Sequence, residues 1–309
     1  MLYWGIMTTA YPATAAGGSP ELAEDEYNWG FYPDQYHNPD YMRRRRIYYR
    51  LTPMTALFAI VTESDAVLGM DCLLCQGEKP IYEWSMKSAR LGDKCCIGFQ
   101  GTSEARDPIF CRYIIKRPDL ERTGSPLSVW EAGGENLGLD YAEAKKRLQQ
   151  GIDEVVRQFI RDDKHEKALF SAILVGEIGG RACGSQWWIC DDWKADDHFY
   201  DAATDTNPVL GYALMPDKQL HDFDQPDRMA VWGKLLGPET PAECLRNAIR
   251  TWAICTSNRK NPTVNDHTVL RSLRGDCRAV WEPDPPEDWP AGDPTLASSS
   301  AGPSTDSCT

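Results

Sequence analysis

Residues 168–201 read ALFSAILVGEIGGRACGSQWWICDDWKADDHFYD. The stretch begins as the most apolar part of the chain and then becomes aromatic and acidic. Its apolar residues recur on every side of a helical projection, which is typical of a helix at the centre of a domain. The pattern therefore predicts a helix from about 164 to 178, ended by Gly179 and Gly180.

A carboxylate, Glu177, stands within this apolar run. An isolated carboxylate buried in a helix costs several kcal/mol, so we expect it to be neutral, paired or next to a cavity. Arg181 lies four residues further on, at the spacing of a helical ion pair. Glu177 is thus either half of a structural pair or a candidate general acid or base with a raised pKa.

The acidic end of the stretch holds a second candidate site. It contains Asp191, Asp192, Asp196, Asp197 and Asp201, together with His198. Closely spaced carboxylates repel one another, and a divalent cation such as Mg²⁺ or Zn²⁺ would relieve the repulsion. Either this is a solvated acidic face, or Asp192, Asp196, Asp197 and Asp201 bind a metal. In the second case Asp192, Asp196 and His198 would be catalytic residues of a metal-dependent hydrolase.

Cys183 is a third candidate. Cys183-Gly184-Ser185-Gln186-Trp187 resembles the C-G-S-C-W segment of papain-like cysteine proteases, and residues 265–269 resemble the segment of their histidine. The family's nucleophilic cysteine corresponds to Gln186 here. The resemblance implies a thiol hydrolase, for which Cys183 would have to be the nucleophile, activated by a helix N-terminus or a histidine.

Three helices are predicted around this stretch. Residues 140–162 have apolar side chains every three or four positions, with Asp140 as N-cap and Glu143 completing a capping box. Residues 226–236 form a short helix ended by Gly237. Thr240-Pro241-Ala242-Glu243 is a strong helix start, with proline at the first helical position.

The first half of the chain has the period of two that is typical of strands. Residues 57–68 predict a hairpin, and strands are expected at 82–86 and at 109–115. The predicted fold is α+β: an antiparallel sheet of five or six strands, at about 47–117, packs against a helical C-terminal half at about 140–275.

The domain organisation follows from these elements. We expect an aromatic N-terminal arm at 1–42, a β-sheet region at 43–120, a linker at 121–139 and a helical region at 140–281 that shares the core. A disordered acidic tail rich in Pro and Ser is expected at 282–309.

Charge and composition restrict the partners. The 309 residues carry a net charge of −13, which argues against general nucleic-acid binding and against docking on anionic membranes. No apolar run is long enough to span a membrane. The run Arg43–Arg46 is a strand edge, a nuclear import signal or an anion contact. We expect a cytoplasmic protein, or a nuclear one if that run is an import signal.

The eleven cysteines indicate free thiols in a reducing compartment. Cys72 and Cys75 form one C-x-x-C pair, to which Cys95 and Cys111 could add zinc ligands. The alternative is that all four are buried thiols, which behave as small apolar side chains.

Two classes of function remain. The chain has no phosphate-binding loop, no dinucleotide fingerprint, no H-E-x-x-H and no G-x-S-x-G motif. The absence of these motifs favours an interaction or assembly protein that binds a protein partner or itself. The alternative is a hydrolase, using either the Asp191–Asp201 cluster or Cys183.

Overall fold

The computed structural model describes residues 55–76, 79–122, 136–162, 164, 170–189, 198–205, 208–213, 225–258 and 264–284. In that part of the chain the strands are β1 (Ala56–Val61), β2 (Ala66–Asp71), β3 (Leu74–Gln76), β4 (Lys79–Tyr82), β5 (Ser88–Gly92), β6 (Cys95–Gly101), β7 (Phe170–Ile178), β8 (Arg181–Ile189), β9 (His198–Ala202), β10 (Val209–Ala213), β11 (Thr268–Ser272) and β12 (Val280–Glu282). The α-helices are α1 (Ser103–Pro108), α2 (Tyr141–Arg161), α3 (Gln225–Leu235) and α4 (Pro241–Asn258).

Two five-stranded sheets organise the molecule. The first has the order β10-β1-β2-β11-β12 and the second the order β5-β6-β7-β8-β9, and every neighbouring pair is antiparallel. A separate short hairpin joins β3 to β4. Each sheet thus combines strands from distant parts of the sequence.

Three apolar clusters define the layers. The inner faces of the two sheets meet in one cluster, where Leu57 and Leu68 of the first sheet share the core with Ile173 and Val175 of the second. The outer face of the first sheet packs on α3 and α4. The outer face of the second sheet packs on α1 and α2. Two sheets are therefore stacked between two helical layers.

The predicted α+β class is confirmed, as are the helices with clear start signals. Asp140 accepts a hydrogen bond from the Glu143 amide at 2.8 Å and caps α2. At α4 the capping box is complete, because the Glu243 carboxylate accepts from the Thr240 amide at 3.1 Å and the Thr240 hydroxyl accepts from the Glu243 amide at 3.4 Å. Helix α3 and the β1–β2 hairpin also lie where they were predicted.

The predicted central helix at 164–178 is wrong. Phe170 to Ile178 is strand β7, buried along seven residues and paired with β6 on one side and β8 on the other. A strand buried on both faces has the same continuous apolar pattern as a buried helix. Gly179 and Gly180 end the strand in a tight turn, where both have positive φ.

The predicted strand at 109–115 is wrong as well. Ile109 to Ile114 forms a π-helical segment that continues α1. The predicted strand at 82–86 is also wrong, since β4 ends at Tyr82 and residues 83–87 are not in a strand. Nor is the second half mainly helical, because β7 to β12 all come from it. Local alternation in the sequence did not reveal these long-range pairings.

Several predictions lie outside the described residues: the aromatic arm, Arg43–Arg46, most of the linker and most of the C-terminal tail. No helix in the part of the chain that the structure describes has the length and apolar character needed to cross a membrane.

Candidate functional site

The candidate site lies where β1 begins and β2 ends. The register of the hairpin pairs Leu57 with Met70, so Ala56 lies beside Asp71. The Asp71 carboxylate accepts the Ala56 amide at 2.8 Å through Oδ1 and the Leu73 amide at 2.9 Å through Oδ2. Asp71 thereby closes the open end of the hairpin and fixes Thr55, the residue before Ala56.

Lys87 joins this end of the first sheet to the second sheet. Its Nζ lies 3.0 Å from Asp71 Oδ1 and 2.9 Å from Oδ2, and it donates to Thr55 Oγ1 at 3.1 Å. The Lys87 carbonyl accepts the Phe99 amide of β6 at 2.8 Å. Lys87, Asp71 and Thr55 therefore form one hydrogen-bonded group. Asp71 belongs to the first sheet, and the Lys87 backbone is bonded to the second.

The group is almost sealed from solvent: Asp71 is 0% exposed, and Thr55 and Lys87 are each 5% exposed. Burial raises the pKa of Asp71, while the Lys87 charge and the hydrogen bonds from Lys87, Leu73 and Ala56 oppose that rise. Both carboxylate oxygens only accept hydrogen bonds, and a protonated carboxyl would lose one of these. We therefore describe Asp71 and Lys87 as an ion pair.

Polar and aromatic contacts hold the segment that follows Asp71. Asn265 accepts the Cys72 amide at 3.1 Å and donates to the Glu83 carbonyl at 2.8 Å. The His267 ring stacks on Trp84 with ring centroids 4.1 Å apart. These contacts fix the chain on both sides of the group, after β2 and before β5.

A backbone amide points toward the same region. Amide groups two residues apart in a strand point to the same side. The Phe99 amide donates to the Lys87 carbonyl, so the Gly101 amide is directed toward the segment that precedes Lys87. Gly101 has φ +123°, in the region that favours glycine.

The arrangement is suited to holding a hydroxyl nucleophile. Lys87 Nζ donates to both oxygens of Asp71, and its third proton is directed at Thr55 Oγ1. A cation at hydrogen-bond distance stabilises an oxyanion forming on that oxygen. The other role that the geometry offers is structural, as a buried tie between the sheets.

Glu177 occupies a different environment from the one expected. It is exposed near the end of β7, where the strand leaves the core, and is not buried in a helix. Arg181 lies across the hairpin turn, paired with Ile178 in the register, and its guanidinium faces Asp205 at 3.8 Å. Neither a buried ion pair nor a carboxyl at a cavity is present at this position.

Cys183 lies on β8 in the second sheet, whereas His267 precedes β11 in the first sheet. The Cys183 thiol donates to the Gly176 carbonyl at 3.3 Å, and burial raises its pKa to about 11. A thiol with that pKa is protonated at neutral pH, so the local environment does not activate it.

The acidic cluster falls mostly outside the described residues. Asp191, Asp192, Asp196 and Asp197 are not among them, and only the backbone of His198 and Asp201 is described, in β9. Cys72, Cys75, Cys95 and Cys111 are buried free thiols. Within the described ranges no three Cys, His, Asp or Glu side chains converge as metal ligands would.

The sequence analysis missed Thr55, Asp71 and Lys87. Two local signals were present: Asp71 ends an otherwise apolar strand, and Lys87 lies in a stretch whose neighbours are buried. A charged residue at such a position needs a partner. The sequence did not reveal which distant residue that partner is.

No family model and no curated protein matches the chain. Among solved structures, eukaryotic HslV from Trypanosoma brucei is 12% identical, with a TM-score of 0.42 over 70% of this chain and 98% of that one. Anbu (ancestral beta-subunit) from Yersinia bercovieri is 14% identical, with a TM-score of 0.45 over 74% of this chain and 82% of that one.

Proposed function

We propose that the protein is an amide hydrolase whose nucleophile is the Thr55 hydroxyl. The observation that carries the proposal is the 3.1 Å hydrogen bond from Lys87 Nζ to Thr55 Oγ1, made by a lysine that the buried Asp71 carboxylate holds. A buried ammonium needs an acceptor for each of its three protons, and here the third acceptor is a hydroxyl that can act as a nucleophile. This replaces the carboxylate cluster and Cys183 as the basis of a hydrolase.

Lys87 orients Thr55 and stabilises negative charge, but it is not the base. The Lys87 ammonium donates two protons to Asp71 and its third to Thr55 Oγ1, so it has no lone pair with which to remove the hydroxyl proton. A threonine nucleophile can instead use its own α-amine, if it is the first residue of the chain. An α-amine has a pKa of about 8, so roughly a tenth of it is a free base at pH 7, a far larger share than for a lysine side chain with its pKa of about 10.4.

The proposal therefore includes cleavage of the bond between Met54 and Thr55. Thr55 Oγ1 attacks the Met54 carbonyl carbon, the C–N bond breaks, and the departing nitrogen takes the proton that the hydroxyl lost. Water then hydrolyses the Met54–Thr55 ester, which leaves a Met54 carboxylate and restores the hydroxyl. The product is a chain that begins at Thr55 with a free amine.

The same chemistry then acts on a peptide substrate. The amine takes the hydroxyl proton as Oγ1 attacks the scissile carbonyl, and it passes that proton to the leaving amine. The acyl group remains on Thr55 as an ester until water removes it. The Gly101 amide, directed toward this region, is our candidate donor to the oxyanion of the intermediate.

An acylating probe tests the proposal. The protein is incubated with a β-lactone, digested, and mapped by mass spectrometry. We expect label on the peptide that contains Thr55, and no label there in Thr55→Ala or Lys87→Met. Thr268→Ala is the matched control, because Thr268 is a buried threonine whose hydroxyl donates to the Asp266 carbonyl. Labelling elsewhere with Thr55 untouched would refute the proposal.

A second candidate function is self-association as an assembly subunit. It is favoured by the apolar side chains of Met229, Leu236 and Ile254, which are exposed on the helical layer outside the first sheet. Exposed apolar residues mark a contact surface when they form one continuous patch. The two proposals are compatible, since a catalytic subunit can also assemble.

Sedimentation velocity tests the second candidate. We expect a species larger than one chain for the native sequence, and a single-chain species for Met229→Glu combined with Leu236→Glu. Lys234→Glu is the control, since it places a carboxylate on the same helix at a position that is already polar. A native protein that sediments as one chain at every concentration would exclude self-association.

A further inference from the structure

Gln100 is a buried amide that has no role in the chemistry proposed above. It lies near the end of β6 and is 2% exposed. Neither its Nε2 nor its Oε1 has a hydrogen-bond partner among the residues that the structure describes. A buried amide that lacks partners is costly, and such groups mark positions where a ligand or a second state of the protein supplies them.

The side chain points into the space between the two sheets. Residues alternate along β6, so Gln100 shares a face with Cys96 and Gly98. A Cβ placed on Gly98 would lie 2.5 Å from Leu57 Cδ1 of β1. The face of β6 that carries Gln100 therefore faces β1. Thr55 precedes β1 and lies two residues before Leu57, so it is on the same side as Leu57.

Gln100 lies toward the Thr55 end of that space. At the other end, Cys96 contacts Cys277, and the turn that holds Cys277 is fixed by the Leu273 amide donating to the Ala66 carbonyl. Ala66 pairs with Val61, at the far end of β1 from Thr55. Cys96 therefore lies near the Val61 end of β1, and Gln100 lies nearer to the Thr55 end.

Cleavage before Thr55 would create a polar group in this same region. Thr55 is 5% exposed in the uncut chain. An α-amine released at a residue in this largely buried position needs hydrogen-bond acceptors. Lys87 cannot serve, because an ammonium has no acceptor. The carbonyl oxygen of Gln100 is an acceptor with no partner in the uncut chain.

We propose that Gln100 is the positioning residue of the Thr55 amine: its Oε1 accepts a hydrogen bond from the amine that cleavage releases. The inference rests on the proposed function and adds a residue to it. Gln100 touches no substrate. It orients the general base toward Thr55 Oγ1 and favours the ammonium form of that base.

The first test compares two buried glutamines in uncut chains, each carrying Thr55→Ala. Gln186 is 9% exposed, and its Oε1 accepts the Gly211 amide at 3.0 Å. Gln100→Met removes an amide without partners, so we expect the melting temperature to rise by about 2–4 °C. Gln186→Met removes a bonded amide, and its melting temperature should fall. Equal losses in both would overturn the inference.

The second test follows turnover of an N-acetyl tetrapeptide aminocoumarin amide by the cut protein. We expect Gln100→Met to lower kcat about tenfold, the equivalent of one well-placed hydrogen bond, with KM within about twofold. The acid limb of the kcat profile should move about half a pH unit or more to lower pH, since the ammonium loses an acceptor. Gln100→Leu should give the same changes in kcat and in the acid limb, and it is used instead of Gln100→Met if that variant does not fold.

The outcomes separate the two proposals. If the native chain neither cuts before Thr55 nor turns over the substrate, the proposed function fails before Gln100 is tested. If the native chain is active, Thr55→Ala is inactive, and both Gln100 variants keep the native kcat and acid limb, then the hydrolase stands and Gln100 has no positioning role.

Discussion

At the scale of single residues, backbone hydrogen bonds to Asp71 hold the Lys87–Asp71 pair in place, in addition to the attraction between the two charges. Asp71 carries two backbone amides in addition to Lys87, so each carboxylate oxygen has two donors. Such an ion pair adds little net stability compared with apolar side chains of the same volume, but losing one partner strands a buried charge. Removing one partner should therefore destabilise the protein more than removing both charges.

Lys87→Met in the Thr55→Ala background should lower the free energy of unfolding by about 3–5 kcal/mol, because Asp71 is left charged and buried. Adding Asp71→Asn should recover a large part of that loss, since the amide oxygen still accepts a backbone hydrogen bond. Urea denaturation measures both. Asp119→Asn, in the exposed pair with Arg117, is the control that should leave stability unchanged. An unaffected Lys87→Met protein would show that the pair is not buried.

The Cys183 thiol should be unreactive in the folded protein. Burial raises its pKa to about 11, and only the thiolate is a good nucleophile. Alkylation by iodoacetamide, followed by peptide mapping, should be slow at pH 7–8 and should rise toward pH 11, whereas unfolded protein reacts readily at pH 8. Selective labelling of native Cys183 at pH 7 would restore the thiol-hydrolase hypothesis.

At the scale of elements, the β7–β8 hairpin depends on the conformation of its turn. Gly179 and Gly180 have φ +59° and +81°, and no atom lies within 4 Å of a Cβ built on either. Alanine at Gly179 should therefore cost about 1–2 kcal/mol through backbone strain alone. Gly233, in helix α3 with equally open space, is the matched control, and Gly233→Ala should stabilise by about 0.5–1 kcal/mol. Equal effects at both positions in urea denaturation would contradict this account.

The same elements show what local sequence can predict. The starts of α2 and α4 were predictable because the N-cap of α2 and the capping box of α4 join residues only three positions apart. Strand β7 was not, because its apolar run fits a buried helix equally well, and only the pairing with β6 and β8 decides between them. The π-helical segment at Ile109–Ile114 likewise depends on packing against α2, which lies far along the chain.

At the scale of the whole molecule, the candidate site exists because the two sheets stack. Lys87 is 16 residues from Asp71 and 32 from Thr55, and the three meet only when the β1–β2 hairpin lies on the second sheet. The sequence pointed instead to the acidic cluster, where residues are adjacent. The sequence could not reveal that Thr55, Asp71 and Lys87 meet, because their contact depends on how the two sheets stack.

The central claim, that Thr55 becomes an N-terminal nucleophile, is tested most directly by the intact mass and N-terminal sequence of the purified full-length chain. The account predicts a chain that starts at Thr55 for the native protein, and an uncut chain of 309 residues for Thr55→Ala. Thr268→Ala should be cut like the native protein. A native protein that keeps residues 1–54, or a Thr55→Ala protein that is still cut before position 55, would contradict it.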